Sequence, residues 1–172
     1  FAFLGMGDPV FNPDEAATEL ASVRNTRGGF QLRAISTTRA LDSAGLANLP
    51  RLYKTADEVM AIGKELGADQ ARDIFVGTRA SEATIRNMSK SGALKKYRVI
   101  SFATHGLIPG DLDGLNSPAL ALSAPARHSK AKWDDGLLTA EEIMELDLDA
   151  DWAILSACNT ASAQSSSTEA FS

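Results

Sequence analysis

The sequence lacks the features that mark several large classes of protein. It has one cysteine in 172 residues, so no disulfide can form within the chain and nothing requires an oxidising compartment. No apolar run approaches the roughly 20 residues that span a bilayer. The first residues show neither the basic segment nor the cleavage pattern of a signal peptide. We therefore expect a cytoplasmic protein that does not interact with membranes.

Positive charge and metal-binding side chains are also scarce. Lys and Arg number 17 against 22 Asp and Glu, which gives a net charge of −5. Without a Lys/Arg stripe there is no electrostatic footprint for nucleic acid, and we expect none to bind. Only two histidines are present, and no Cys, His and carboxylate set has metal-ligand spacing. We expect no metal and no other cofactor, and the G-x-S-x-G motif of serine hydrolases is absent.

What remains is the composition of a globular domain. Hydrophobic residues make up 44% and charged residues 23% of the chain, as is usual for a folded protein with a core. The length suits a single domain, residues 1–172. Because the chain lacks an initiating Met and begins within a predicted strand, we expect it to be a fragment of a larger protein.

Apolar runs and helical periodicity alternate along the chain. Five runs predict strands: Phe1–Met6, Asp73–Gly77, Tyr97–Ala103, Ala119–Ser123 and Trp152–Ala157. Three periodic segments predict helices: Asp57–Leu66, Ser81–Ser89 and Thr139–Leu146. This alternation predicts an α/β fold with a largely parallel sheet. Loops are expected over Leu107–Ser117 and Ala124–Asp135, and Arg24–Ser43 reads either as a further strand or as part of a long excursion.

Local signals predict where the helices begin. Thr55 with Glu58, and Thr139 with Glu142, have the spacing of a capping box, in which a hydroxyl and a carboxylate satisfy each other's backbone N–H groups. Ser81 is a candidate N-cap for the second helix, since a serine oxygen accepts from the first helical turn.

The single cysteine and one of the two histidines follow predicted strands in the same way. His105 ends "RVISFATH" and Cys158 ends "WAILSAC". Reacting groups gather at the carboxyl ends of parallel strands, so the two side chains would meet if their strands are neighbours. Cys158 follows His105 by 53 positions, close to the roughly 50 found in caspases. The alternative is a packed histidine and an inert thiol. His128, in the basic loop "PARHSKAK", is expected at the surface.

A glycine motif near the start offers a different interpretation. Residues 5–10, "GMGDPV", begin like a dinucleotide-binding fingerprint after a strand. Val10 stands where the third glycine belongs, and Pro9 and Pro13 interrupt the helix that should follow. A nucleotide-binding α/β domain is therefore a weak rival, because the motif is only partial.

Several blocks resemble a known family. "VISFATHGLIPG", "SPALALS" and "DDGLLTAEEIMELDLDADWAILSACNTAS" resemble the CHAT domain, a caspase-like peptidase domain often attached to tetratricopeptide repeats. "GDPVF", "LPRLYKTADEVMAIGKELGA" and "FVGTRASEATIRNMS" are similar to its upstream blocks. The resemblance implies a caspase-like three-layer sandwich, with a mostly parallel central sheet between helices. CHAT sequences usually continue beyond the cysteine loop, so the resemblance also implies that the C-terminal part of the fold is missing.

The same resemblance implies an activity. The family's catalytic histidine falls on His105 and its nucleophile on Cys158, which implies a cysteine endopeptidase that cleaves a protein or peptide. A tetratricopeptide-repeat or other sensor module, in the same chain or in a partner, would regulate it. "SACNT" differs from the Q-A-C-[RQG]-G block of caspases, so caspase specificity is not implied. The alternative is a catalytically silent regulatory or scaffold domain, because a fold does not guarantee an activity.

Residues around the dyad have expected roles as well. The backbone N–H groups of Gly106 and Cys158 are candidates for the oxyanion hole. Separase-like members resemble enzymes with a basic-residue preference, which an acidic pocket would serve. The pocket candidates are Asp111, Asp113, Asp135, the neighbouring Asp134, and Ser156. The alternative for the aspartates is ordinary turn chemistry, and Ser156 either lines the pocket or finishes its strand. Asn159 and Thr160 would hold the cysteine loop through side-chain hydrogen bonds.

Overall fold

The structure is a computed structural model and describes residues 2–16, 18, 43–125 and 133–156. The sequence predictions for His128, Cys158, Asn159, Thr160 and the segment 24–42 lie outside the described residues.

A four-stranded parallel sheet forms the centre of the molecule. Its strands are β1 (Phe3–Gly7), β2 (Ile74–Val76), β3 (Val99–Ala103) and β7 (Trp152–Leu155), in the order β2-β1-β3-β7. All three pairings are parallel. Each strand arises from an apolar run, and the predicted parallel sheet is confirmed.

Helices are distributed along the chain between the strands. Their bounds are α1 (Ser43–Ala47), α2 (Lys54–Glu65), α3 (Glu82–Lys90) and α4 (Ala140–Met144). Residues 13–16 and 18 are also helical, and 3-10 turns cover Gly77–Arg79 and Leu94–Lys96. Across the described ranges, none of the helices has the length and apolar character needed to cross a bilayer.

Two apolar layers cover the two faces of the parallel sheet. Side chains alternate along β1, so Phe3 and Leu4 point to opposite faces. Phe3 belongs to the cluster that contains Val59 of α2, and Leu4 to the cluster that contains Ile85 of α3. All four side chains are fully buried. The arrangement is helix, sheet, helix, which confirms the three-layer α/β sandwich.

A second, smaller sheet stands beside the first. It consists of β4 (Gly106–Leu107), β5 (Ala119–Ala121) and β6 (Leu137–Thr139), paired antiparallel in the order β4-β5-β6. The predicted strand 119–123 is therefore confirmed over Ala119–Ala121, but it does not join the parallel sheet. The strands β4 and β6 are not predicted from the sequence, because two or three residues carry no readable periodicity.

Two of the predicted helix caps are confirmed. The Thr84 N–H donates to Ser81 Oγ at 3.2 Å. At α4, the Glu142 N–H donates to Thr139 Oγ1 at 3.3 Å, and the Thr139 N–H donates to Glu142 Oε2 at 2.9 Å. Both halves of that capping box are present.

The predicted capping box at Thr55 and Glu58 is wrong. The helix α2 begins earlier, at Lys54, with Tyr53 at the N-cap position and no side-chain cap. Thr55 Oγ1 instead accepts from the Asp8 N–H at 2.7 Å and donates to the Leu52 carbonyl at 2.7 Å. A tertiary contact with the end of β1 has taken the hydroxyl that the local pattern assigns to the helix.

Candidate active site

The site lies at the carboxyl edge of the parallel sheet. Asp8 follows β1, His105 follows β3 after one intervening residue, and Ser156 follows β7. Because β1, β3 and β7 are parallel neighbours, the residues after them emerge along one edge, where ligands bind in open α/β sheets.

The imidazole of His105 is held in one orientation. Its Nε2 lies 2.8 Å from the carbonyl oxygen of Pro50. A carbonyl only accepts, so Nε2 carries a proton, and in the neutral imidazole Nδ1 carries the lone pair. The Phe11 ring packs beside the imidazole, with centroids 5.4 Å apart and planes inclined by 45°. His105 is buried, at 2% exposure.

The backbone under His105 is fixed by β5. The Ala121 N–H donates to the His105 carbonyl at 2.9 Å. The Thr104 hydroxyl donates to the Ala121 carbonyl, and Thr104 is itself buried. The second sheet thus anchors the turn that presents the histidine.

The strand that leads to Cys158 is the neighbour of the strand that leads to His105. In the register of β3 and β7, Phe102 pairs with Leu155, and these partners are 53 positions apart. His105 and Cys158 are separated by the same 53 positions. Cys158 lies outside the described part of the chain, but the adjacency that the sequence argument requires is present.

Ser156 marks the last described residue on the cysteine side. Its N–H donates to the Phe102 carbonyl at 2.9 Å, which extends the strand contact by one residue. Its hydroxyl donates to Glu58 Oε1 at 2.6 Å. The two bonds tie the end of β7 to both β3 and α2.

Gly106, the candidate oxyanion donor, is the first residue of β4. It pairs with Leu120, while the Ala121 N–H donates to the His105 carbonyl. This bond pattern makes Gly106 and Leu120 a non-hydrogen-bonded antiparallel pair. The N–H of Gly106 therefore points away from β5.

Two of the acidic pocket candidates, Asp111 and Asp135, make local turn contacts. Asp111 accepts from the Ile108 N–H at 2.9 Å, and Asp135 accepts from the Leu137 N–H at 2.9 Å. Asp113 is exposed. Asp134 Oδ1 is buried without a hydrogen-bond partner in the described ranges. The contacts of Asp111 and Asp135 follow the turn chemistry weighed as the alternative.

Sequence reasoning missed three residues that contact this edge. Pro50 acts through a backbone carbonyl, which has no side-chain signal in the sequence. Arg51 and Asp8 form a bidentate ion pair, with 2.8 and 2.9 Å between nitrogen and oxygen. Asp8 was detectable, because it directly follows a strand as the strand-end argument requires.

The glycines of the partial dinucleotide motif serve packing against α2. A Cβ on Gly7 would lie 2.6 Å from the Thr55 carbonyl oxygen, and one on Gly5 would lie 3.0 Å from Cβ of Val59 in α2. These distances are too short for a side chain, so both glycines let the helix approach β1 closely. Within the described ranges, no group of three or more His, Cys, Asp or Glu residues is placed to hold a metal.

Comparison with known proteins gives a family. No curated protein and no solved structure matches the chain. The family model of the CHAT domain matches residues 3–172, which is nearly the whole sequence. The three-layer fold and the paired strands leading to His105 and Cys158 agree with that match, and the chain therefore belongs to the CHAT domain family, which is related to the caspase-like cysteine peptidases.

Proposed function

We propose that the chain is a cysteine endopeptidase domain in which Cys158 is the nucleophile and His105 the general base. The observation that carries the proposal is the pairing of β3 with β7 at an offset of 53 positions, the separation of His105 from Cys158. If the register continues past Leu155, the cysteine lies beside the histidine.

The held orientation of His105 suits it to the role of base. Nε2 donates its proton in a hydrogen bond to the Pro50 carbonyl, so the lone pair of Nδ1 is the one that takes the thiol proton. The thiolate then attacks the carbonyl carbon of the scissile peptide. The imidazolium then gives the proton to the departing amine. Expulsion of the amine leaves the acyl group on Cys158 as a thioester. The same ring then takes a proton from water, the hydroxide attacks the thioester carbonyl, and the acyl group leaves as a carboxylic acid while the imidazolium returns the proton to the thiolate.

The tetrahedral intermediate needs fixed donors for its oxyanion. The N–H of Gly106 points away from β5, and the residue stands directly after the base. We assign the oxyanion hole to the backbone N–H groups of Gly106 and Cys158. The Gly106 N–H belongs to the backbone, so it is already oriented before the substrate binds.

Substrate and regulation form the second half of the proposal. We propose a protein or peptide substrate with a basic side chain before the scissile bond, received by acidic side chains among Asp111, Asp113 and Asp135. Ser156 supports the cysteine side of the pocket through its bond to Glu58. A tetratricopeptide-repeat or other sensor module, attached or in a partner chain, controls access to this site.

A silent regulatory domain is the second candidate, and the burial of His105 favours it. At 2% exposure the ring is packed like a core residue, which is the structural role weighed against the dyad. The two candidates differ in one respect, because only the peptidase needs the thiol.

Cleavage of a complex peptide mixture separates the two candidates. We expect the wild-type chain to cut a proteome-derived peptide mixture and to produce new termini that mass spectrometry reads, with Lys or Arg enriched before the cut. Cys158→Ala should abolish these termini, and His105→Gln should reduce them by roughly a hundredfold or more, since a general base contributes that much. His128→Gln is the matched control and should cut normally. Equal termini from wild type and Cys158→Ala would reject the peptidase.

A further inference from the structure

We propose that Asp8 and Arg51 form a clamp that positions His105, so that both are positioning residues of the catalytic site. The inference deepens the proposed function and rests on it for its catalytic meaning. The effect of the clamp on the orientation of the imidazole can be measured without any cleavage assay.

The clamp joins the ends of two neighbouring strands. Asp8 follows β1 and His105 follows β3, and Gly7 at the end of β1 pairs with Ala103 at the end of β3. The Asp8 carboxylate receives Arg51 Nε and Nη2 at 2.8 and 2.9 Å. This fork geometry fixes the direction of the guanidinium as well as its distance.

Arg51 is bonded directly to the carbonyl that orients the histidine. The carbonyl of Pro50 belongs to the peptide group that joins Pro50 to Arg51, and a peptide group is planar. Holding Arg51 therefore limits how that carbonyl can turn. The carbonyl accepts from His105 Nε2 at 2.8 Å, so the restraint passes from Asp8 to the imidazole in three bonded or hydrogen-bonded steps.

Asp8 is itself held in a rare conformation. Its φ is +47°, and it is the only non-glycine residue with positive φ in the described ranges. Its N–H donates to Thr55 Oγ1 at 2.7 Å, and its carbonyl accepts from the Gly77 N–H at 3.1 Å. A non-glycine residue persists in this region only where its surroundings fix it, and such residues concentrate at functional sites.

Burial strengthens the ion pair. The side chains of Arg51 and Asp8 are 20% and 13% exposed, so the pair is shielded from water far better than an ordinary surface pair. The guanidinium also lies over the Tyr53 ring, with Cζ 4.8 Å from the centroid. The Asp8 carboxylate and the Tyr53 ring therefore both fix the position of the Arg51 guanidinium. An ion pair that served only solubility would not need this second contact.

The test reads the Nε2 proton of His105 by NMR in a His128→Gln background, where His105 gives the only imidazole signal. We expect this chain, with Asp8 and Arg51 unchanged, to show a slowly exchanging Nε2 proton. In Asp8→Asn, a substitution compatible with positive φ, we expect exchange about tenfold faster, the factor that corresponds to the loss of one ordinary hydrogen bond. Arg51→Lys, which keeps the charge but not the fork, should act in the same direction and serves if Asp8→Asn does not fold.

The matched control breaks a similar pair at the other end of the sheet. Arg98 binds Asp151 through two bonds of 2.7 and 2.6 Å, and Asp151→Asn should leave the Nε2 proton unchanged. Equal exchange in wild type and the clamp variants would overturn the inference. Equal acceleration in Asp151→Asn would also overturn it, because the effect would then be general loosening of the fold.

Activity distinguishes failure of the clamp from failure of the proposed function. If the chain cleaves peptides, the clamp variants should lower kcat by roughly a hundredfold with little change in KM, since a displacement of about 1 Å costs that much. If the clamp variants show faster exchange of the Nε2 proton but a normal kcat, the catalytic part of the inference is wrong and the proposed peptidase activity is unaffected. If the wild-type chain does not cleave peptides, the proposed peptidase activity is wrong, and the NMR measurement alone decides whether the clamp orients His105.

Discussion

Two buried serines differ in whether their hydroxyl groups are hydrogen-bonded. Ser123 is fully buried, and its hydroxyl donates to the Gly77 carbonyl at 2.8 Å and accepts from the Val10 N–H at 2.9 Å. Ser101, in the middle of β3, is equally buried, but its Oγ has no partner within the described ranges. A serine therefore stabilises the fold at position 123 and destabilises it at position 101.

The pair predicts opposite effects of one substitution. Ser101→Ala should raise the free energy of unfolding by about 1 kcal/mol, because it removes a buried hydroxyl that lost its water without gaining a partner. Ser123→Ala, the matched control, should lower it by about 1–3 kcal/mol, since it leaves two backbone groups unsatisfied. Urea denaturation at one pH measures both. A Ser101→Ala variant as unstable as Ser123→Ala would contradict the assignment.

At the residue scale, the sequence predicts side chains better than backbone groups. The position of His105 follows from an apolar run and the residues after it. The partner that orients it does not, because the Pro50 carbonyl looks like every other carbonyl in the sequence. Asp8 is an intermediate case, since its place after β1 is readable but its bond to Arg51, 43 positions away, depends on the fold.

Elements are linked at the start of α3 by a buried charge cluster. Glu82 is fully buried and accepts from Arg86 Nε at 2.8 Å and from the Asp135 N–H at 3.2 Å. Arg86 Nη2 also binds Glu142 of α4 at 2.6 Å. Burial raises the pKa of Glu82 from 4.5 to about 7, and the negative charge of Glu142 adds to the rise against the opposing bond from Arg86.

The raised pKa predicts a pH dependence of stability. Between pH 4.5 and about 7 the folded chain holds a proton on Glu82 that the unfolded chain has released. Stability contributed by this group is therefore full at low pH and falls as the pH rises through that window. We expect Glu82→Gln to lose less stability than wild type between pH 5 and 8, measured as the urea midpoint with buffers at about equal ionic strength.

The control for this prediction is an exposed carboxylate. Glu65, at the end of α2, is exposed, and Glu65→Gln should keep the wild-type pH dependence. A Glu82→Gln profile parallel to that of wild type would contradict the role of Glu82, whatever the absolute stability of the variant.

The elements also show where local pattern and tertiary structure disagree. Long apolar runs predict β1, β3 and β7, and their parallel pairing follows from the alternation with helices. An apolar run does not state which sheet it joins, and Ala119–Ala121 belongs to the antiparallel one. The Thr139 capping box is purely local and is confirmed, whereas Thr55 is used by Asp8 and its predicted box is wrong.

At the scale of the whole molecule, the fold combines a sheet that brings two chain segments together with a second sheet that fixes one of them. The pairing of β3 and β7 joins residues 53 positions apart, and β5 anchors the turn that carries His105. Sequence reasoning reaches this arrangement only on the condition that the strands before His105 and Cys158 are neighbours, and the pairing of β3 with β7 meets that condition. The sequence does not predict how firmly β5 holds the turn that carries His105, because that depends on contacts between distant segments.

The central claim is that His105 activates Cys158, and the rate of alkylation by iodoacetamide tests it most directly. The chain has one cysteine, so the reaction reports Cys158 alone. We predict rapid alkylation of wild type already at pH 6, where a free thiol with a pKa of about 8.5 is almost fully protonated. In His105→Gln the rate at pH 6 should fall at least about tenfold and then rise with pH like that of a free thiol. A wild-type profile that matches a free thiol and does not change in His105→Gln would contradict the account.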